Sequence, residues 1–306
     1  SSPALRGHLY ALQAYSEVML ADLYCSGVPL STLDYRGDYT LAPGSSTAEV
    51  LEHAVALFDT SLALSADSAR FVDLARVGKG RALLALGRFA EAAAAVHDVP
   101  VGYRYEVGYT GAAGLDAANF ATSSHVRPFR VADVEGVNGL PYRSSTDARV
   151  GAAAAGFDSY GHPIYLPTKY ATDGSSPIVL ADWIEARLIE AEAALQQRDA
   201  GTWLSIVNEL RANAIVPALP DTTDPGDWEA EVNLNFHERA FWLFLTGHRQ
   251  GDLRRLIRQY GRAPQSVYPS GPYTGFRTYG TDVDVPIPMR EINANPLVEG
   301  CLGRGA

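Results

Sequence analysis

The stretch from Glu238 to Arg255 constrains the fold of this chain more than any other. Its first half is apolar on nearly all sides of a helix, and such a helix must be buried. We therefore predict that Phe241, Trp242 and Phe244 lie in the core. Gly247 falls where this helix should end, because glycine readily takes the left-handed conformation that caps helices. A second, charged helix is predicted to begin directly afterwards.

Charged side chains surround this junction between the two predicted helices. Because buried charges must be paired, the sequence predicts a fixed ion-pair network that holds the second helix in place. The same charges could instead bind an anionic ligand, but their position directly after a buried helix favours the structural role. The predicted cluster consists of Glu238, Arg239, Arg249, Asp252, Arg254 and Arg255.

Helical periodicity recurs along the chain and predicts an all-α fold. The first long helix is marked by the apolar stripe Leu5, Leu9, Leu12, Met19 and Leu23. Ser46 stands three residues before Glu49, a capping box that should open the next helix. The residues from Gly80 to Val96 match the spacing of a tetratricopeptide repeat. Further helix pairs are predicted at 181–198 with 203–214 and at 228–245 with 249–260, and stacked pairs bury a continuous core.

Two stretches interrupt the helical pattern. Residues 101–177 and 261–306 contain long irregular segments, and loops of such length inside a folded domain are usually functional. Alternation at 101–107 predicts short strands there. We therefore expect a single domain over 1–306. Its helical scaffold is predicted at 4–100 and 178–260, its loop-rich insertion at 101–177 and its carboxy-terminal loop segment at 261–306.

The charged helix junction also resembles the carboxy-terminal signature of the SusD/RagB proteins, although Thr246 stands where that family usually has Glu. Four other segments resemble the family in the same order along the chain. They are the long early helix ending in Gly-Val-Pro-Leu at 27–30, the helix at 183–193, the helix around 207–211 and the closing Pro-Ile-Pro…Glu…Asn-Pro pattern at 286–296. The resemblance therefore spans nearly the whole chain.

The resemblance implies a cell-surface lipoprotein that binds a nutrient and presents it to a TonB-dependent, SusC-like transporter of the outer membrane. The nutrient would be an oligosaccharide or, less often, a peptide. It also implies that a lipid-attachment Cys and the family's first helices lie upstream of the visible chain. A second hypothesis stays open: a non-catalytic structural or assembly protein that uses the helical scaffold for protein–protein contacts or homo-oligomerisation.

Charge and motifs narrow the function further. A formal net charge of −10 argues against binding nucleic acid or anionic lipid headgroups. No uninterrupted apolar run reaches the ~18 residues that a membrane-spanning helix needs. The chain has no Gly-x-Ser-x-Gly elbow and no phosphate-binding loop, and His237-Glu238 lacks the second His of a zincin. The sequence therefore predicts a binding protein without catalytic residues, metal or cofactor.

Aromatic residues of the insertion are the candidate ligand contacts. Tyrosine combines an apolar face, which stacks on sugars, with a hydroxyl that can orient a ligand. The alternative is that these side chains pack the insertion against the helices. The candidates ranked highest are Tyr103, Tyr105, Tyr109 and Tyr142, and the wider set includes Phe129, Tyr160 and Tyr165.

Two cysteines, Cys25 and Cys301, stand near opposite ends of the chain. Such low cysteine usage fits either a reduced protein or an exported protein with one bridge, and the spacing excludes a zinc knuckle. We predict that the two are bonded, because a bridge would restrain a chain terminus that is otherwise free to fray.

Overall fold

Two blocks of helices are separated by the insertion in the computed structural model, which describes residues 2–109, 130–159, 161–171, 175–273 and 277–305. The helices are α1 (Pro3–Leu23), α2 (Thr47–Leu64), α3 (Ala69–Ala85), α4 (Phe89–Val96), α5 (Trp183–Gln196), α6 (Ala200–Asn213), α7 (Trp228–Trp242), α8 (Arg249–Arg258), α9 (Pro264–Val267) and α10 (Met289–Ala294). No helix in these ranges combines the length and the apolar character that crossing a bilayer requires. The predicted helix-rich fold is therefore confirmed, whereas tetratricopeptide stacking stays a prediction.

The strands are short and pair antiparallel, two by two. They are β1 (Val28–Pro29), β2 (Thr32–Leu33), β3 (Tyr39–Thr40), β4 (Gly44–Ser45), β5 (Arg104–Val107), β6 (Ala152–Phe157), β7 (Pro163–Pro167), β8 (Ile178–Asp182), β9 (Pro272–Tyr273) and β10 (Arg277–Thr278). The pairs are β1 with β4, β2 with β3, β5 with β8, β6 with β7 and β9 with β10. Because β5 and β8 bring Arg104 opposite Asp182, the two ends of the insertion meet beside α5.

Helix starts follow capping signals in the sequence. The predicted box at α2 is present: the Ser46 amide donates to Glu49 Oε2 at 2.7 Å, and the Glu49 amide donates to Ser46 Oγ at 3.2 Å. An aspartate caps three later helices by accepting a hydrogen bond from a backbone amide of the first turn. These caps are Asp182 at α5, Asp199 at α6 and Asp227 at α7. Local polar residues therefore set where these helices begin.

Helix α3 approaches its neighbours closely because it carries two glycines. A Cβ atom at Gly78 would lie 2.3 Å from the ring of Phe58, and one at Gly80 would lie 2.4 Å from Cγ1 of Val96. Larger residues at either position would push α2 or α4 away. Side chains from both helical blocks, including Ile189 of α5, belong to the core that forms around α3.

Helix α1 buries a different side from the one that its large apolar residues suggested. The exposed fractions of Leu5, Leu9, Met19 and Leu23 are 45%, 58%, 49% and 42%. The buried side carries small residues instead, among them Ala11, Ala14, Val18 and Ala21. Small side chains let α1 lie close against α2, so close approach of the two backbones decides which side of α1 is inside. The apolar stripe correctly marked a helix but not its buried face.

Helix α7 is buried as its composition predicted. The exposed fractions of Phe241, Trp242 and Phe244 are 0%, 9% and 8%. Phe241 and Phe244 pack with Val131 and Val150 of the insertion. Trp242 packs on the other side, in a cluster that includes Leu188 and Leu210 of α5 and α6. The helix thus lies between the insertion and the second helical block.

The end of α7 differs from the prediction. The helix stops short of residue 245, and Gly247 lies beyond it in the turn, with a φ of +85°. Side chains of the insertion satisfy backbone carbonyls in that turn. Lys169 Nζ donates to the carbonyl of Phe244 at 2.5 Å, and the Tyr170 hydroxyl donates to that of Leu245 at 2.9 Å. The local sequence does not contain these partners, so it could not reveal where the helix ends.

The carboxy-terminal segment returns to the end of α1. Val285 forms a parallel bridge with Tyr24. Next to it, the sulfurs of Cys25 and Cys301 are bonded, and their Cα atoms are 5.7 Å apart. The disulfide spans a sequence separation of 276 residues and joins the end of the first helix to the end of the chain.

Replacing both Cys25 and Cys301 by Ser should lower the free energy of unfolding by up to about 5 kcal/mol. The reason is that a crosslink closing so long a loop restricts the unfolded chain strongly. Denaturant titrations of the wild type and the double variant measure the difference. Thiol titration of the unfolded, unreduced wild type should find no free thiol, and two reactive thiols would contradict the bond.

Candidate functional site

A cluster of buried charges joins α5, α7 and α8. Asp252 accepts hydrogen bonds from Arg239 at 3.0 and 2.9 Å and from Arg255 Nη2 at 2.8 Å. Arg255 also binds Glu192 of α5, with 3.0 Å between Nη2 and Oε2. Burial would raise the pKa of Asp252, but the two arginines outweigh it and hold that pKa well below its ordinary value. Glu192 thus belongs to a charge network in which the sequence analysis had not placed it.

Glu238 makes a second set of pairs that ties the insertion to α6 and α7. It accepts hydrogen bonds from Arg149 Nη1 at 2.6 Å and from Arg211 Nη1 at 2.7 Å. The indole of Trp242 donates to the same carboxylate at 3.1 Å. Arg149 also binds Asp147, with 2.7 Å between Nη2 and Oδ2. The insertion is therefore held on the helices by buried charges.

Two arginines of the predicted cluster do not belong to either network. Arg254 donates to the carbonyls of Ala21 at 2.6 Å and Tyr24 at 2.8 Å, so it caps the end of α1 and makes no ion pair with a described residue. Arg249 makes neither an ion pair nor a hydrogen bond with any described residue. These two are corrections: Arg254 is used by backbone carbonyls, and Asp252 and Glu192 are already bound by Arg239 and Arg255.

Glu185 of α5 is the centre of a third buried network. Arg81 of α3 donates to its carboxylate at 2.6 and 2.7 Å, and Nε2 of His248 lies 2.9 Å from Oε1. Burial would raise the pKa of Glu185, but Arg81 and His248 lower it from 4.5 to about 2. A polar cavity of about 340 Å³ beside this network is also lined by Asp182 and Lys169.

Tyr103 and Tyr105 pack the insertion onto the first helical block. Tyr105 is 7% exposed, its hydroxyl lies 2.6 Å from Nε2 of His8, and the guanidinium of Arg70 lies 4.9 Å from its ring centre. The Tyr103 hydroxyl donates to the carbonyl of Arg70 at 2.9 Å. Neither ring lines one of the two cavities at the α7–α8 turn. Their rings and hydroxyls already contact α1 and α3, and their role as ligand contacts stays a prediction.

The remaining aromatic candidates lie in different surroundings. Tyr109 is half-buried and makes no hydrogen bond with a described residue. Phe129 and Tyr160 lie outside the described residues. The guanidinium of Arg143 lies 4.1 Å from the ring centre of Tyr165, so that ring has a neighbour within the insertion. Tyr142 differs from all of these because it lines a cavity.

The insertion and the turn between α7 and α8 enclose a second cavity, of about 470 Å³, which we call the insertion cavity. Its volume is in the range of small-ligand sites. Its wall is largely apolar. On the insertion side the lining includes Val131, Tyr142, Pro167, Tyr170 and Ile178, and on the helix side Leu243, Phe244, Leu245, His248 and Arg249.

Tyr142 forms an aromatic wall of this cavity. Its ring centre lies 5.3 Å from that of Phe241 and 5.2 Å from that of Phe244. Its hydroxyl makes no hydrogen bond with a described residue. Burial raises the pKa of Tyr142, and the charge of Arg249, which lines the same cavity, acts against that rise. The cavity therefore offers apolar surface, one free hydroxyl and one unpaired cation.

The sequence analysis missed most of this cavity. It singled out Tyr142, but it assigned Phe244 to the core and Arg249 to the ion pairs. The residues that meet here stand about 100 positions apart in the chain, and no short motif joins them. Within the described ranges no group of three His, Cys, Asp or Glu side chains could hold a metal ion.

Solved structures show what this arrangement of helices and insertion is similar to. A SusD-like protein from Bacteroides fragilis superposes with a TM-score of 0.66 at 16% identity, over 98% of this chain and 80% of that one. A SusD-like carbohydrate-binding protein from Bacteroides vulgatus gives 0.63 at 16% identity, over 97% and 77%. A laminarin-binding SusD-like protein gives 0.59 at 15% identity, over 97% and 78%. The chain therefore has the SusD-like fold, which confirms the resemblance seen in its sequence.

Comparisons at the level of sequence add nothing to this likeness. No protein-family profile matches the chain, and none of the curated proteins matches it. At 14 to 18% identity the structures share a fold whose side chains have largely changed. Likeness at this level shows the fold and carries no ligand over to this chain.

Replacing Glu185 by Gln should reduce the loss of stability in acid. The folded-state pKa of Glu185 is about 2, below the ordinary 4.5, so its contribution is complete above pH 4.5 and disappears as the pH falls towards 2. That contribution is about 3 kcal/mol. Urea titrations between pH 6 and pH 3 should show a smaller fall for Glu185→Gln than for the wild type.

The matched control is Glu299→Gln, which changes an exposed carboxylate that makes no ion pair with a described residue. It should leave the acid profile of the wild type unchanged. Identical profiles for the wild type and Glu185→Gln would show that Arg81 and His248 do not hold this carboxylate ionised in the folded protein.

Proposed function

We propose that this protein is a cell-surface glycan-binding protein of the SusD/RagB type. It captures an oligosaccharide in the insertion cavity and presents it to a TonB-dependent transporter of the outer membrane, without catalysing a reaction. The observation that carries the proposal is the combination of a SusD-like scaffold with an aromatic-walled cavity of about 470 Å³. Two proteins of the same fold are described as binding a carbohydrate and laminarin.

The walls of the insertion cavity suit a sugar. The C–H faces of a pyranose ring pack on aromatic and aliphatic side chains, here Tyr142, Phe244 and Pro167. A few polar groups then fix the orientation of the ring. The free hydroxyl of Tyr142 and the guanidinium of Arg249 are available for that purpose, because no described residue occupies them.

Replacing Tyr142 by Ala should weaken glycan binding about tenfold, because it removes an aromatic face and a free hydroxyl. Isothermal titration of the purified protein against a panel of oligosaccharides that includes laminarin fragments measures the effect. Tyr39→Ala is the matched control, since Tyr39 is 73% exposed on β3 and does not line the cavity. Circular dichroism should show the same helical content in both variants.

Several outcomes would count against the proposal. If the protein bound peptides but no glycan, the proposed ligand class would be wrong and the ligand would be a peptide. If the wild type and Tyr142→Ala bound a glycan with equal affinity, the binding site would not be the insertion cavity. A TonB-dependent transporter should also co-purify with the protein from solubilised outer membranes. If no transporter co-purified, the proposed presentation to a transporter would be wrong, whereas the proposed glycan binding would be unaffected.

A second function is favoured by the exposed apolar side of α1. Four large apolar residues face solvent there, Leu5, Leu9, Met19 and Leu23. Exposed apolar surface on one helix can mark a contact site for proteins. The protein would then act as an assembly component whose helical scaffold makes homo-oligomers.

If α1 mediates homo-oligomerisation, Leu9→Glu should convert an oligomer into a monomer, because a charge would be buried without a partner. Light scattering after size-exclusion chromatography measures the mass of each form. Leu33→Glu is the control, since Leu33 is 56% exposed and belongs to β2, not to α1. A wild type that is monomeric at high concentration would exclude this assembly.

A further inference from the structure

Arg249 is a charged side chain beside an apolar cavity. It lines the insertion cavity, is half-buried, and has no ion-pair or hydrogen-bond partner among the described residues. Removing a charge from water is costly unless an opposite charge or a hydrogen bond compensates it. The other arginines of the Glu238–Arg255 stretch all have partners within the fold. Arg249 is therefore available to a ligand in a way that they are not.

The start of α8 adds donors at the same place. Residues 249 and 250 line the cavity, and neither of their backbone amides has a hydrogen-bond partner among the described residues. The side chain of His248, which precedes the helix, does not cap it. The amino-terminal end of a helix carries a partial positive charge and unpaired amides that favour an anion. The helix therefore reinforces the charge of Arg249.

Arg239 has an unpaired nitrogen and also belongs to the lining of the cavity. It is 2% exposed and lines the cavity, and its Nη1 has no hydrogen-bond partner, although Nε and Nη2 bind Asp252. An unpaired buried nitrogen of a guanidinium is costly to leave without an acceptor. Negative charge at the same wall is already neutralised, because both oxygens of Asp252 are held by arginines.

We propose that the insertion cavity binds an acidic sugar, with the sugar carboxylate placed between the guanidinium of Arg249, the hydroxyl of Tyr142 and the free amides at the start of α8. This proposal rests on the glycan-binding function and names its ligand class: an oligosaccharide that contains a uronic acid. The sugar ring lies against the apolar wall. The carboxylate is the anionic partner that Arg249 does not have among the described residues.

A carboxylate fits this site better than a neutral hydroxyl. The guanidinium group is planar and presents parallel N–H groups that match the two oxygens of a carboxylate. One unpaired cation matches one negative charge, because the other charged residues of the lining, Arg130, Arg239, His248 and Asp252, are already paired within the fold. Charge-assisted hydrogen bonds are also about twice as strong as neutral ones.

The test compares acidic oligosaccharides with their own methyl esters. Galacturonate, glucuronate and mannuronate oligomers and the matching neutral esters are titrated into the full-length chain by calorimetry. We expect the affinity for at least one acid to exceed the affinity for its ester by about tenfold or more. Arg249→Gln should remove that difference and leave the affinity for the ester unchanged, and Tyr142→Phe should reduce it.

The control variant is Arg290→Gln, which removes an exposed arginine outside the cavity that has no partner among the described residues. It should keep the preference for the acid. Melting temperatures of all variants show whether each one is folded, and Tyr142→Phe, which removes only a hydroxyl, tests the site even if Arg249→Gln does not fold.

The outcomes separate this inference from the function on which it rests. Neutral glycans or esters that bind as tightly as the acids would overturn the acidic ligand and leave glycan binding intact. An acid preference that survives in Arg249→Gln would also overturn the assignment of the carboxylate to this site. A protein that binds no glycan of either kind would overturn the proposed function together with the inference.

Discussion

The ion pairs that Asp252 and Glu192 make with Arg239 and Arg255 hold three helices in one arrangement. All four side chains are almost fully buried, so each charge depends on the others for compensation. Loss of one partner from such a network typically costs 3–5 kcal/mol, because the remaining charge is left buried and unpaired. The network also places the start of α8, and therefore the turn that forms one wall of the insertion cavity.

The insertion is attached by the same kind of interaction. Glu238 binds Arg149, while Lys169 and Tyr170 donate to carbonyls in the turn that follows α7. Val131 and Val150 of the insertion also pack on Phe241 and Phe244. Between the insertion and the turn lies the insertion cavity, which Tyr142 lines from the insertion and Arg249 from α8.

The sequence predicted local features well and distant partners poorly. The capping box at Ser46, the buried helix around Phe241 and the strand within 101–107 all depend on neighbouring residues, and all are present. The apolar stripe of α1 did not reveal its buried side, because that side depends on how closely α2 approaches. The polar neighbours of Tyr105 in sequence suggested that it lies outside the core, whereas His8 and Arg70 cover it in the fold.

The sequence by itself determined the helical elements, their caps, the residue types of the charged junction and the likeness to SusD/RagB proteins, because periodicity, capping and motif order are properties of adjacent residues. Only the tertiary structure decided which arginine of that junction stays unpaired. Arg239, Arg254 and Arg255 bind groups from other elements, and Arg249 does not. Pairing is a matter of distance in space, and the carboxylates and carbonyls concerned come from positions far along the chain.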